Sequence, residues 1–204
     1  MNSRIARGEL NYPGIGFTSE GRSPEGFDRS QARAHLGEGF ETYRRVADGI
    51  LRWQIQRRSG LRVRTETEAV EQGSRIVSGF GVGPFRVKAP CEVVWVRHPV
   101  PGKTAQSAGF GYGTLPGHPV RGEEAFEVSI DADGAVTFTI TAFSRHSNWF
   151  YAAGGAAARA AQRHITSRYL GSAHQLASGA AGCDPALSCC KNGTPSRPIE
   201  RQFP

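Results

Sequence analysis

Two stretches of the chain carry the spacing of apolar residues that is typical of amphipathic helices. In residues 38–58, apolar side chains recur at three- and four-residue steps from Phe40 to Trp53, which predicts one helix. A second, alanine-rich helix is predicted over residues 148–170. Between these stretches the apolar period falls to two, which indicates strands.

After the first helix the chain is predicted to form about six antiparallel strands. Seven segments carry the period of two, namely residues 61–70, 74–81, 85–89, 91–98, 107–115, 123–131 and 135–144. Asp133 and Gly134 between the last two segments predict a tight hairpin. A further strand of mixed polarity is predicted over residues 27–36, ahead of the first helix. Alternation places Trp95 on the same face as Cys91 and Val93, and the aromatic residues Trp53, Trp95 and Tyr112 are predicted for the core.

The order strand, helix, strands and long C-terminal helix predicts an α+β fold. A curved antiparallel sheet must bury one face, and the C-terminal helix is its natural cover. This is the layout of the helix-grip fold of START-like and plant-allergen-like proteins, which often leaves a cavity for an apolar ligand. The expected organisation is a leader at residues 1–26, a single domain at 27–172 and a disordered tail at 173–204.

Composition narrows the function classes. The 204 residues carry a net charge of +7, but the basic residues are scattered and form no stripe interleaved with aromatics, so no nucleic-acid partner is expected. No apolar run reaches the ~18 residues of a membrane span. The first ten residues lack the apolar region of a secretory signal, which predicts a cytoplasmic protein.

The cysteines favour a structural interpretation. Cys91 stands in a strand without a neighbouring base and is predicted to be a buried, unreactive thiol. The tail segment CDPALSCC, residues 183–190, has no histidine partner and matches no closed zinc pattern. No role is assigned to this tail.

Two glycine-rich runs resemble phosphate-binding loops, namely GFGVG at residues 79–83 and GFGYG at residues 109–113. Neither run precedes a helix, whose N-terminus would supply the anion site, so no nucleotide cofactor is predicted. Glycines inside strands are instead expected to mark bulges or bends of a curved sheet.

The most distinctive segment is GYGTLPGHPVRGEEAF, residues 111–126. His118 lies in a rigid proline-glycine bend, and a histidine with two carboxylates falls short of three convergent ligands, so no metal site is predicted. Glu124 shares the strand phase of Phe126, and an inward carboxylate must be paired or have a raised pKa. Tyr112 and Arg121 are its candidate partners. The alternative is an exposed charge at the end of the strand.

Four segments together carry a family resemblance. They are LNYPGIGFT at 10–18, GPFRVKAPCEVVWV at 83–96, GYGTLPGHPVRGEEAF at 111–126 and TITAFSR at 139–145. Over residues 10–172 the chain resembles the bacterial and plant family called domain of unknown function 1990, or uncharacterised protein family 0548. The resemblance implies no activity and transfers no catalytic residue.

Three functions stay open at this point. The first is a binder of a small apolar or aromatic ligand between the sheet and the C-terminal helix. Its candidate polar contacts are Tyr112, His118, Arg121, Glu123 and Glu124. The second is a cyclase-, hydrolase- or isomerase-like enzyme with His118 and Glu124 as the acid/base pair. The third is a protein-interaction module that uses the basic surface.

Overall fold

The computed structural model describes residues 5–82, 85–146 and 155–179. The first part of the helix predicted over 148–170 lies outside these ranges. So does the tail from residue 180 onward, with its three cysteines. The disorder predicted for that tail is therefore untested.

Within these ranges, seven strands form one antiparallel sheet and three α-helices accompany it. The strands are β1 (Asp28–Glu38), β2 (Arg62–Thr65), β3 (Arg75–Val82), β4 (Phe85–Arg97), β5 (Gln106–Thr114), β6 (Val120–Ile130) and β7 (Ala135–His146). The helices are α1 (Phe40–Ile50), α2 (Gln54–Arg58) and α3 (Gly155–Ala177). The strand order is β1-β7-β6-β5-β4-β3-β2. The predicted fold class is confirmed, because an open curved antiparallel sheet packs on a C-terminal helix.

The core lies between the inner face of the sheet and the helices. Alternate residues of the central strands point to this face and are fully buried, among them Phe110, Phe126 and Phe138. Each such side chain contributes roughly 1.5–3 kcal/mol when it leaves water. Helix α3 supplies Ala173 and Leu176 to the same core, so the helix continues beyond residue 173, where the tail was predicted to begin.

The helix predicted over residues 38–58 is in fact two helices. The chain leaves α1 after Ile50, and α2 begins after Trp53, which has a left-handed φ of 62°. A left-handed conformation costs a residue other than glycine roughly 1–2 kcal/mol. The Trp53 indole is fully buried and packs edge-on against Phe110 at 5.2 Å between ring centroids. Burial of the indole offsets the cost of the break.

Strand β4 joins two predicted strands and contains a bulge that reverses the phase of its side chains. The register with β5 shifts between Val93 and Trp95, so Trp95 lies opposite Gly111. The prediction that Trp95 shares a face with Cys91 and Val93 is therefore wrong. Its indole Nε1 instead donates a hydrogen bond of 2.9 Å to Thr18 Oγ1 on the outer face.

The outer face of the sheet carries the segment of residues 5–27, which we call the leader. It contains a short 3₁₀ helix, Phe17–Glu20. Tyr12 and Phe27 each pack edge-on against Phe143 of β7, at 5.7 Å between ring centroids. Arg75 of β3 donates hydrogen bonds to two carbonyl oxygens of the leader. The leader is thus fixed to the sheet along much of its length.

Glycines of β5 make room for the leader. The pairing of β5 with β6 runs through residues 109–113 without a register shift, so these glycines mark no bulge against β6. A Cβ on Gly111 would overlap Trp95, and one on Gly113 would lie 2.6 Å from Cζ of Tyr12. The bare backbone allows the leader to lie directly against the strand.

Candidate functional site

Strand β6 sends two successive carboxylates to opposite faces of the sheet. Glu124 lies on the inner face with Phe126, and Glu123 lies on the outer face beneath the leader. Alternation alone predicts this arrangement. The two side chains therefore belong to different environments despite their adjacency.

A cavity of about 130 Å³ lies between the inner face and α3. Its apolar lining includes Leu61, Ala89, Val120, Ala142 and Ile165. Its polar and titratable lining includes Cys91, Tyr112, Thr114, His118, Glu124 and Tyr169. The cavity is therefore mainly hydrocarbon, with a small set of chemically active side chains on its wall.

Glu124 and Tyr112 form a hydrogen-bonded pair in this cavity. They face each other across β5 and β6, and the Tyr112 hydroxyl donates a bond of 2.8 Å to Glu124 Oε2. Burial raises the pKa of Glu124 to about 7, and the bond from Tyr112 acts in the opposite direction. At neutral pH this carboxyl group is therefore close to half-protonated.

Two further titratable groups surround the pair. The pKa of the Cys91 thiol is raised, first by burial and then by the charge of Glu124. The pKa of Tyr169 is raised for the same two reasons, although a hydrogen bond with Tyr112 lowers it. Both groups stay protonated at neutral pH, so Tyr169 presents a phenol to the cavity and Cys91 an unreactive thiol.

His118 lies in the loop between β5 and β6 and lines the same cavity as Glu124. Its Nδ1 is 2.9 Å from the carbonyl oxygen of Val120 and 3.1 Å from the backbone nitrogen of that residue. Burial lowers the pKa of His118 to about 4, so the ring is neutral at physiological pH. The two contacts with Val120 fix the orientation of the ring.

Glu123 serves the leader. The backbone at Glu123 borders the cavity, but its carboxylate accepts hydrogen bonds from the Tyr12 hydroxyl at 2.9 Å and the Gly16 backbone nitrogen at 2.8 Å. It also accepts from the backbone nitrogen of Thr18 at 3.0 Å and from the Thr18 hydroxyl. All four donors belong to the leader.

The structure therefore brings together three of the five candidate side chains, namely Tyr112, His118 and Glu124. Arg121 is exposed and, like Glu123, points away from the cavity by strand alternation. Sequence reasoning missed Tyr169 as a polar group of the cavity wall. The helical period predicts only that Tyr169 lies on the apolar face of the C-terminal helix. Its approach to Glu124 depends on how α3 crosses the sheet, and no local pattern encodes that.

Within the described residues, no three side chains of histidine, cysteine, aspartate or glutamate are grouped to hold a metal ion. In the same part of the chain, no helix combines the length and apolar character needed to cross a membrane.

The sheet, the covering helix and the cavity define a protein of the helix-grip class. The chain belongs to the family described as domain of unknown function (DUF1990), which it matches over residues 11–172. The resemblance found in the sequence is thereby confirmed.

Two relatives support the family assignment, and a solved structure supports the fold. A UPF0548 protein of Deinococcus radiodurans is 33% identical over 178 residues, which are 85% of this chain and 88% of that protein. A UPF0548 protein of Arabidopsis thaliana is 30% identical over 143 residues, 69% of each chain. A hypothetical protein of Helicobacter pylori has a similar structure, with a TM-score of 0.53, 9% identity and coverage of 86% of this chain and 99% of its own. That likeness concerns the fold alone.

Proposed function

We propose that the protein binds a small, mainly apolar molecule in the cavity between the sheet and α3. The observation that carries this proposal is the cavity itself, about 130 Å³ of space with a largely apolar wall and a few polar groups on it. Ligand sites in proteins commonly have this composition. An engineered apolar cavity of roughly 150 Å³ binds benzene, so the space suits a molecule with one small ring or a branched aliphatic group.

The polar groups would orient the ligand. Tyr112 and Glu124 are already joined by a hydrogen bond, so their positions are set before a ligand enters. His118 is held in place by the backbone of Val120. Groups fixed in advance lose little conformational freedom on binding, which favours affinity for a small ligand.

A variant that fills the cavity tests the proposal. Ala142 lies opposite Glu124 in the register of β6 and β7 and lines the cavity, so Ala142→Leu adds hydrocarbon where a ring would sit. Ala132→Leu is the matched control, because Ala132 is exposed in the hairpin turn. Titration with toluene, followed by ligand-detected NMR, should show saturable binding to the unaltered protein and to Ala132→Leu. Binding should be lost in Ala142→Leu.

Two results would contradict the proposal. One is the absence of saturable binding of toluene and of other small apolar probes to the unaltered protein. The other is equal binding to both leucine variants, which would place the probe elsewhere on the molecule.

A second candidate function is acid–base catalysis, favoured by the presence of His118 and Glu124 in one cavity. A carboxyl group that titrates near neutrality both takes and releases protons readily. In the simplest reaction, the Glu124 carboxylate takes a proton from a carbon beside a carbonyl group. The electron pair moves to the carbonyl oxygen, which accepts a hydrogen bond from the Tyr169 hydroxyl. Reversal of the step returns a proton to the carbon.

Deuterium exchange into a small methyl ketone, followed by NMR in heavy water, measures this reaction. Exchange above the solvent rate in the unaltered protein, and its loss in Glu124→Gln, would support catalysis. A ketone that binds without exchange would leave ligand binding as the function.

A further inference from the structure

Among the described residues, Glu124 differs from the other glutamates of the central strands. Its carboxylate contacts neither a cation nor several hydrogen-bond donors. Glu92 forms an ion pair of 2.6 Å with Arg75, and Glu127 pairs with Arg97. Glu123 accepts four hydrogen bonds from the leader. In the described part of the chain, Glu124 accepts one bond from a neutral phenol and meets no lysine, arginine or histidine at ion-pair distance.

We propose that the missing partner is supplied by the ligand, and that the cavity binds a small primary amine whose ammonium group pairs with the Glu124 carboxylate. This inference rests on the proposed function, because it concerns the chemical class of the molecule bound in the same cavity. An ammonium group has three donors and no acceptor, which complements a carboxylate that accepts a single hydrogen bond, from Tyr112, among the described residues.

The surroundings of Glu124 suit a cation. The Tyr112 hydroxyl donates its proton to Glu124 and shares a hydrogen bond with Tyr169, so the two phenols fix the carboxylate that would receive the ammonium group. The rings of Tyr112 and Tyr169 both line the cavity, and aromatic faces attract cations. The described residues offer no group of metal ligands, which directs the inference to an organic cation.

Among the described residues, the titratable groups that face Glu124 add no positive charge. They are Cys91 from β4, Tyr112 from β5, His118 from the loop before β6, and Tyr169 from α3. Burial lowers the pKa of His118 and raises the pKa values of the other three, so all four are uncharged at neutral pH. The ionised carboxylate is thus the single charge among these groups, and a cationic ligand would compensate it.

The size of the cavity limits the rest of the ligand. About 130 Å³ accommodates a group of benzene size. The class is therefore an amine with a short apolar body, either a single aromatic ring or a branched aliphatic group. Benzylamine is a suitable probe, and toluene and benzyl alcohol are its uncharged counterparts.

Calorimetric titration of the whole protein with these three compounds tests the inference. At about pH 8, benzylamine should bind about ten- to a hundredfold more tightly than toluene, the range expected for hydrogen bonds between charged groups. In the Glu124→Gln variant the ratio of the benzylamine affinity to the toluene affinity should fall to about one. Retained toluene binding also shows that the variant is folded.

Glu127→Gln is the matched control. Glu127 lies on the same strand but on the outer face, so this variant should leave both affinities unchanged. The affinity for benzylamine should also fall as pH decreases from about 8 to about 5.5, because the carboxyl group must lose a proton to pair with the amine. The affinity for toluene should change little over this range.

The outcomes separate the inference from the proposed function. If toluene binds and benzylamine binds no more tightly, or if benzyl alcohol equals benzylamine, the amine class is wrong and ligand binding stands. If Glu124→Gln weakens both compounds equally, Glu124 does not select the amine. If none of the three compounds binds, both the inference and the proposed function fail.

Discussion

Glu123 is a buried side chain whose removal we expect to lower the stability of the protein strongly. Only 2% of the residue is exposed, and its carboxylate accepts bonds from the backbone nitrogens of Gly16 and Thr18 and from two hydroxyl groups. A buried donor left without an acceptor costs roughly 1–3 kcal/mol. Glu123→Ala leaves two such backbone donors, and we expect the free energy of unfolding to fall by about 3–5 kcal/mol.

The isosteric Glu123→Gln variant refines this prediction. The Gly16 nitrogen faces one carboxylate oxygen and the Thr18 nitrogen faces the other. In either orientation of the amide, its NH₂ group therefore meets one backbone N–H and cannot accept from it. The hydroxyl groups can turn and accept, but that backbone donor cannot. We expect a loss of about 2 kcal/mol, intermediate between the unaltered protein and Glu123→Ala.

Urea unfolding followed by tryptophan fluorescence measures both values, since Trp95 contacts the leader through Thr18. Hydrogen exchange of the amides in residues 8–20 should accelerate in both variants. Glu127→Gln serves as the control, because an ion pair near the surface is worth about 0–1 kcal/mol. The reasoning is refuted if Glu123→Ala costs less than about 1 kcal/mol or if the glutamine variant is the less stable of the two.

Further predictions concern the sheet, α3 and the cavity. Gly113→Ala should lower the free energy of unfolding by about 1–3 kcal/mol, because the new methyl group overlaps Tyr12. Gly171→Ala in α3 has open space around it and should raise the free energy of unfolding by about 0.5–1 kcal/mol. Urea titrations measure both changes. Burial raises the pKa of Glu124 from 4.5 to about 7, so the contribution of this carboxyl group to stability is lost as pH rises through that range. By about pH 8, Glu124→Gln should therefore gain up to about 3 kcal/mol in free energy of unfolding relative to the unaltered protein. The pKa of His118 is lowered from 6.5 to about 4, so its effect on stability has the opposite pH dependence: stability is lost as pH falls from 6.5 toward 4. His118→Asn should remove that loss, and thermal melts at a series of pH values measure it.

Where a rule depends on local geometry alone, the sequence is informative. The inward direction of Glu124 follows from a period of two along an unbroken strand, and the β6–β7 hairpin follows from Asp133 and Gly134. The same rule fails at Trp95, because one extra residue in β4 reverses the alternation. No residue type in the segment EVVWV, residues 92–96, signals a bulge.

Features that depend on tertiary contacts were beyond sequence reasoning. The left-handed residue at the break is Trp53, which is neither glycine nor proline, and the break is stabilised by its indole packed on Phe110. The donors to Glu123 come from the leader, more than a hundred positions away in the chain. Composition describes the leader as glycine- and proline-rich, and it gives no indication that these residues bind a buried carboxylate.

The close seating of the leader on β5 has a consequence for how the family varies. Gly113 and Tyr12 occupy one shared volume, so a larger residue at position 113 requires a smaller one at position 12. We expect the two positions to change together among relatives, and Gly111 to change with Trp95 in the same way. Correlated substitutions at these positions would indicate that the leader packs on β5 in relatives whose structures have not been determined.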